Sequence, residues 1–189
     1  MRSRRRSARW LAIPAMFLAA LLLLICRPAL EHRLFYSWDY FELIDSTARE
    51  QGVDTALLLG LIRTESSFRP DAVSSVGARG LTQIMPETFE WLQSKTGESL
   101  PLDSLFEPEI SVRYGALLLR LLLDEFDLPE TALAAYHAGR GRVNQWLRDP
   151  AISPDGRVLN HIPSDDTRHY VNKVMKAYAK YDTFINHSN

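Results

Sequence analysis

Glu65 lies just past a strongly apolar stretch, Leu57 to Ile62, and just ahead of a glycine-containing polar run from Ser74 to Pro86. A carboxylate leaving a hydrophobic helix sits where burial raises its pKa towards neutrality. A group shifted in this way keeps its proton at pH 7 and can act as a general acid. The competing reading is a surface glutamate near a helix C-terminus. The five histidines (32, 137, 161, 169 and 187) lack metal-ligand spacing on any one helix, and no phosphate-cradling loop is present. Neither a metal nor another cofactor is therefore expected.

The elements that must position Glu65 read as almost all helix. Trp38 to Gln51 is amphipathic, with Gly52 as its stop. Asp54 can cap a helix from Thr55 to about Glu65. An irregular loop runs from Arg69 to about Gly80. Pro86 is a first-turn proline for Glu87 to Lys95, which Gly97 ends. Pro108 opens a long helix to Phe126 that is apolar on most faces and is expected to be the central buried one. Pro129 opens another, ending at Gly139, and a short helix covers Arg142 to Leu147. After a proline-rich loop, Asp165 or Asp166 caps the last helix, with Tyr170, Val171, Val174, Tyr178 and Tyr181 at helical spacing. No alternating strand pattern, internal repeat or second domain is evident.

Length and charge bound the function. The 189 residues suit one domain plus an appendage, and a hydrophobic fraction of 46% supports a core without disulfides. Cys26 is the only cysteine, so it has no internal partner. Six arginines and no acid precede Glu31, which leaves 16 basic residues against 23 acidic ones in the rest. An acidic body of this kind lacks the basic footprint of nucleic-acid binding. The basic head is explained by a membrane. Trp10 to Cys26 is an uncharged, mostly apolar run, apolar on all faces. Residues 1–30 therefore read as a cytoplasmic head and an uncleaved transmembrane signal-anchor, with cleavage near Ala29 as the alternative. The remainder, 31–189, would then lie outside the cytoplasm.

Four segments, in this order, resemble the lytic transglycosylase (SLT) family of lysozyme-like enzymes. They are Glu65-Ser66-Ser67-Phe68-Arg69-Pro70-Asp71-Ala72-Val73-Ser74; Gly77-Ala78-Arg79-Gly80-Leu81-Thr82-Gln83-Ile84-Met85-Pro86; Ala135-Tyr136-His137-Ala138-Gly139; and Ile162-Pro163 followed by Thr167-Arg168-His169-Tyr170-Val171. The resemblance implies an all-α, lysozyme-like catalytic domain over 31–189, with at most a minimal β element. It implies cleavage of the β-1,4 bond between N-acetylmuramic acid and N-acetylglucosamine in peptidoglycan, leaving 1,6-anhydro ends. Glu65 matches the family's catalytic glutamate, acting first as acid and then as base. Asp71 and Glu87 sit where the family has no catalytic acid, so a second carboxylate is not expected. Ser74 and Gln83 would hydrogen-bond substrate, Met85 would wall the cleft, and Tyr136 would lie close to Glu65. Gly77 and Gly80 would let backbone approach the glycan. The partners implied are peptidoglycan strands, the membrane through the N-terminal helix, and a cell-envelope assembly apparatus.

The sequence departs from the family pattern at several positions. His137 replaces the usual Asn and would stand in for it at the cleft, with activity falling as pH drops through about 6.5. Asp166 replaces Glu before the Thr-Arg pair, with a shorter reach towards the cleft. Arg140 stands where Pro is usual, Ser111 where Asn is frequent, and Ser75 where Pro is common. Two alternatives compete with the transglycosylase reading. One is a muramidase hydrolysing the same bond, and the other is a weakly active wall-binding or scaffolding protein.

Overall fold

The computed structural model describes residues 39–187. The apolar run from Trp10 to Cys26, the arginine-rich head and the expected helix start at Trp38 lie outside them. Among the described residues no helix is long and apolar enough to cross a membrane.

The described residues are helical: α1 Phe41–Gln51, α2 Thr55–Ser66, α3 Pro86–Thr96, a 3₁₀ helix Leu102–Phe106, α4 Pro108–Glu125, α5 Pro129–Ala138, α6 Arg140–Leu147 and α7 Asp165–His187. Local signals set most of the boundaries. Gly52 and Gly97 take left-handed conformations at the ends of α1 and α3. Asp54 caps α2 by accepting from Leu57 N at 2.9 Å. Prolines open α3, α4 and α5, where a missing N–H costs nothing. At α7 the cap is Ser164, whose Oγ accepts from Thr167 N at 3.3 Å. Asp165 and Asp166 instead occupy the first turn of α7, where they suit its positive end.

The central helix is α2, not α4. Residues 56–62 are buried without interruption along α2, whereas α4 turns Arg120 and Asp124 outward, where they pair at 2.7 Å. The most extensive helix packing is α2 against α7. Gly60 permits it: a Cβ there would come within 2.9 Å of Tyr178 N and 3.0 Å of Val174 O, both backbone atoms of α7. This close approach brings the C-terminal end of α2, and Glu65 with it, beside the N-terminal half of α7.

Between α2 and α3 the chain forms the region's only extended pairing among the described residues, two isolated antiparallel bridges, Val73 with Arg79 and Arg79 with Ile84. This matches the minimal β element expected. Gly80 is required here by packing within the protein. Its φ is +76°, and a Cβ would lie 1.9 Å from Leu105 O. Gly77, with φ +92°, has nothing within 4 Å of its Cβ position, so only its backbone conformation demands glycine.

Candidate active site

Directly after Glu65, α2 ends in two consecutive non-glycine residues with left-handed backbone, Ser67 (φ 52°) and Phe68 (φ 63°). Each such conformation costs on the order of 1–2 kcal/mol. Burial of the Phe68 ring, edge-on to Tyr181 at 6.5 Å, offsets that cost with roughly 1.5–3 kcal/mol. Ser66 holds the turn further by donating from Oγ to Leu81 O at 2.8 Å. The helix end that carries Glu65 is thereby tied to the loop before α3.

Glu65 is partly buried, and its pKa is raised from 4.5 to about 7. Burial is the largest cause, because it disfavours the charged carboxylate. A hydrogen bond from Tyr170 and the positive charge of Lys173 work in the opposite direction but do not cancel it. Tyr170 Oη donates to Glu65 Oε1 at 2.6 Å. Tyr136 also feels the charge of Glu65, but its hydroxyl donates to Thr82 O at 2.8 Å. Burial pushes both phenols well above 10, so both stay protonated. The direct partner of the glutamate is therefore Tyr170. The sequence places Tyr170 in the fourth motif segment and at an apolar position of the last helix, but its 105-residue separation from Glu65 hid the contact.

Thr82 links three elements at this site. Its Oγ1 donates to Ser111 O at 2.7 Å, and its backbone N donates to Ser111 Oγ at 3.2 Å. Its carbonyl receives Tyr136. Ser111 is fully buried, so the departure from Asn there serves this junction between the loop and α4. Arg140 is likewise accounted for by structure: it opens α6 and donates to Glu125 Oε2 at 2.5 Å. Ser75 is exposed, and nothing in the structure explains it.

The other sequence-predicted residues fall as follows. Ser74 closes its own turn, accepting from Ala78 N at 3.0 Å through Oγ. Gln83, itself left-handed at φ 49°, gives its amide N–H groups to Ala72 O and Gly80 O at 3.0 and 2.9 Å. Those donors brace the loop, and its side-chain carbonyl is the group left to meet a ligand. Met85 is partly buried at the N-cap position of α3. His137 lies exposed at the end of α5, with Nδ1 3.2 Å from Thr167 Oγ1 and its ring stacked on Tyr170 at 4.5 Å. Its pKa is lowered, chiefly by desolvation, against the raising effect of Asp166. Asp166 is exposed in the first turn of α7. Asp71 and Glu87 are also exposed. Among the described residues no group of three or more His, Cys, Asp or Glu side chains could hold a metal.

Chemically, this is one proton-exchanging carboxyl poised near neutral pH, hydrogen-bonded by one buried phenol and flanked by a second. Comparison with known proteins agrees on the surrounding domain. Residues 42–155 match the family described as transglycosylase SLT domain. The chain is 35% identical over 123 residues to a transglycosylase of Enterobacteria phage PRD1, covering 65% of this chain and 43% of that one. It is 33% identical over 165 residues to membrane-bound lytic murein transglycosylase C of Haemophilus ducreyi, covering 75% and 45%. Among solved structures, the lytic transglycosylase Slt of Pseudomonas aeruginosa, determined as an inactive glutamate-to-glutamine mutant, superposes with a TM-score of 0.71 and 32% identity, covering 83% of this chain and 26% of that one. The chain thus spans less than half the length of these relatives.

Proposed function

The chain belongs to the transglycosylase SLT family, and on that premise we propose that it is a peptidoglycan lytic transglycosylase. The observation that carries the reading is Glu65, a lone carboxyl raised to about 7 at the end of a buried helix. A pKa near the working pH suits a group that must first donate a proton and then accept one.

Glu65 donates its proton to the glycosidic oxygen as the bond to C1 of N-acetylmuramic acid breaks. The substrate's N-acetyl group supports the developing positive charge, a role that the two-carboxylate scheme gives to a second acid. The Glu65 carboxylate then removes the proton of the C6 hydroxyl, whose oxygen bonds to C1 and closes the 1,6-anhydro ring. Atoms balance without water, and Glu65 ends protonated as it began. Tyr170 supports the carboxylate stage, since its hydrogen bond favours the charged form. The Ser74 hydroxyl, the Gln83 carbonyl, Met85, Tyr136 and Asp166 line the path of the glycan in this reading.

The N-terminal run would hold the domain on the outer side of the cytoplasmic membrane. Its support is the arginine asymmetry about Trp10–Cys26, together with a relative named as membrane-bound. Mass spectrometry of fragments released from purified sacculi tests the reaction. Ends of 1,6-anhydro-N-acetylmuramic acid support it; reducing ends would instead make the enzyme a hydrolase.

A further inference from the structure

Tyr170 is held at two places. Its hydroxyl donates to Glu65, and its ring is covered by His137, with centroids 4.5 Å apart and planes inclined by 29°. His137 is in turn anchored. Thr167 Oγ1 donates to Ser164 Oγ at 3.1 Å. Thr167 Oγ1 also meets His137 Nδ1 at 3.2 Å. The imidazole is thereby held with its plane set against the phenol. Stacked aromatic pairs of this spacing constrain ring orientation as well as adding contact. A short Asn side chain, usual at this position in the family, has no ring with which to do this.

We propose that His137 is a positioning residue for Glu65, acting through the ring of Tyr170 and not through contact with the sugar. The assignment rests on the reading of Glu65 as the acid. It replaces the expectation that His137 stands in for Asn at the substrate. Asp166, Thr167 and Tyr170 face the imidazole from the start of α7, and Lys173 on the same helix acts on Glu65. The unit is therefore carried by α7 and clamped from α5.

The test compares the full chain with His137→Ala and His137→Phe, circular dichroism confirming that both variants fold. The carboxyl resonance of Glu65 is titrated by NMR in carbon-13-labelled protein, and kcat and KM are measured on sacculi. Alanine frees the Tyr170 ring and weakens its hydrogen bond to the carboxylate, so the Glu65 titration moves to higher pH. In the same variant kcat falls by about tenfold with KM unchanged, less than the ~10²-fold cost of misplacing a reacting group by about 1 Å. Phenylalanine keeps a ring on Tyr170 and returns both quantities towards wild type. An unchanged Glu65 titration in both variants overturns the proposal. So does a raised KM at constant kcat with Phe no better than Ala, the pattern of direct sugar contact. The titration needs no turnover, so it still decides the positioning role if the wild type proves unable to release anhydro ends.

Discussion

Tyr170 Oη lies 2.6 Å from Glu65 Oε1, a hydrogen bond between the first half of α7 and the last turn of α2. The contact exists because Gly60 lets the two helices approach to backbone distance one and a half turns earlier. It opposes the effect of burial on Glu65 and leaves the carboxyl near 7, not higher.

Activity should accordingly fall as pH rises through about 7, because the first step needs protonated Glu65. Tyr170→Phe removes an interaction that lowers the Glu65 pKa, so the falling limb should move to higher pH while the rate at the optimum drops. A pH profile of kcat/KM for the two proteins checks this. Superimposable limbs would show that Tyr170 does not tune the acid. The fall near pH 6.5 anticipated for His137 has no support in the geometry, since the ring meets Thr167 and Tyr170 and its own pKa is lowered.

Glu65 should cost the fold stability above neutral pH. Its folded pKa of about 7 exceeds the ordinary 4.5, so the folded state holds the proton more tightly than the unfolded one. Stability contributed by this group is full below pH 4.5 and is lost as pH rises through 7. Glu65→Gln should therefore leave the melting temperature unchanged at pH 4 and raise it at pH 8. The gain is at most about 3 kcal/mol, and partial solvent access reduces it. Thermal melts at the two pH values read the difference, and equal shifts at both would contradict the raised pKa.

Gly60→Ala should destabilise the protein despite alanine's better helix propensity. The propensity gain is about 1 kcal/mol. The added methyl meets two backbone atoms of α7 at 2.9 and 3.0 Å, which cannot rotate away. Overpacking of this kind costs about 1–3 kcal/mol, and here it also pushes Glu65 from Tyr170. Denaturant unfolding and activity should fall together. A variant as stable and active as wild type would mean that the helix pair tolerates separation.

A reporter enzyme fused after Asn189 should be active only outside the cytoplasm, and the full chain should fractionate with membranes. Recovery in the soluble cytoplasmic fraction would remove the anchor reading of Trp10–Cys26.

Much of this was legible wherever the signal is local. Asp54, Gly52, Gly97 and the prolines at 86, 108 and 129 act within a turn of themselves, and each marks the boundary the structure has. Packing was less legible. The leucine-rich α4 looked like the central helix, but Leu117, Leu121 and Leu123 are only partly buried, and the small Gly60 marks the true centre. The short 3₁₀ helix at Leu102–Phe106 was not anticipated, because five residues carry no periodicity. At the site, motif order points to Glu65, whereas the contacts of Tyr170 with Glu65 and His137 depend on a long-range pairing of α2, α5 and α7 that no local pattern encodes. Gly80 is demanded by the protein's own packing, since a Cβ there would strike Leu105, and the amide of Gln83 braces the loop, leaving its side-chain carbonyl to meet a ligand.

The most direct measurement of the central claim is the rate at which the Glu65→Gln variant releases anhydro-ended fragments from sacculi, beside wild type at pH 6 to 7. Glutamine keeps the shape of the side chain but can neither donate the proton nor recover one. Loss of general acid catalysis alone costs on the order of 10²- to 10⁴-fold, and loss of the second role pushes the effect to the upper end or beyond. A folded variant with no detectable release is the predicted result. Release within a few-fold of wild type would contradict the assignment of Glu65 and the mechanism built on it.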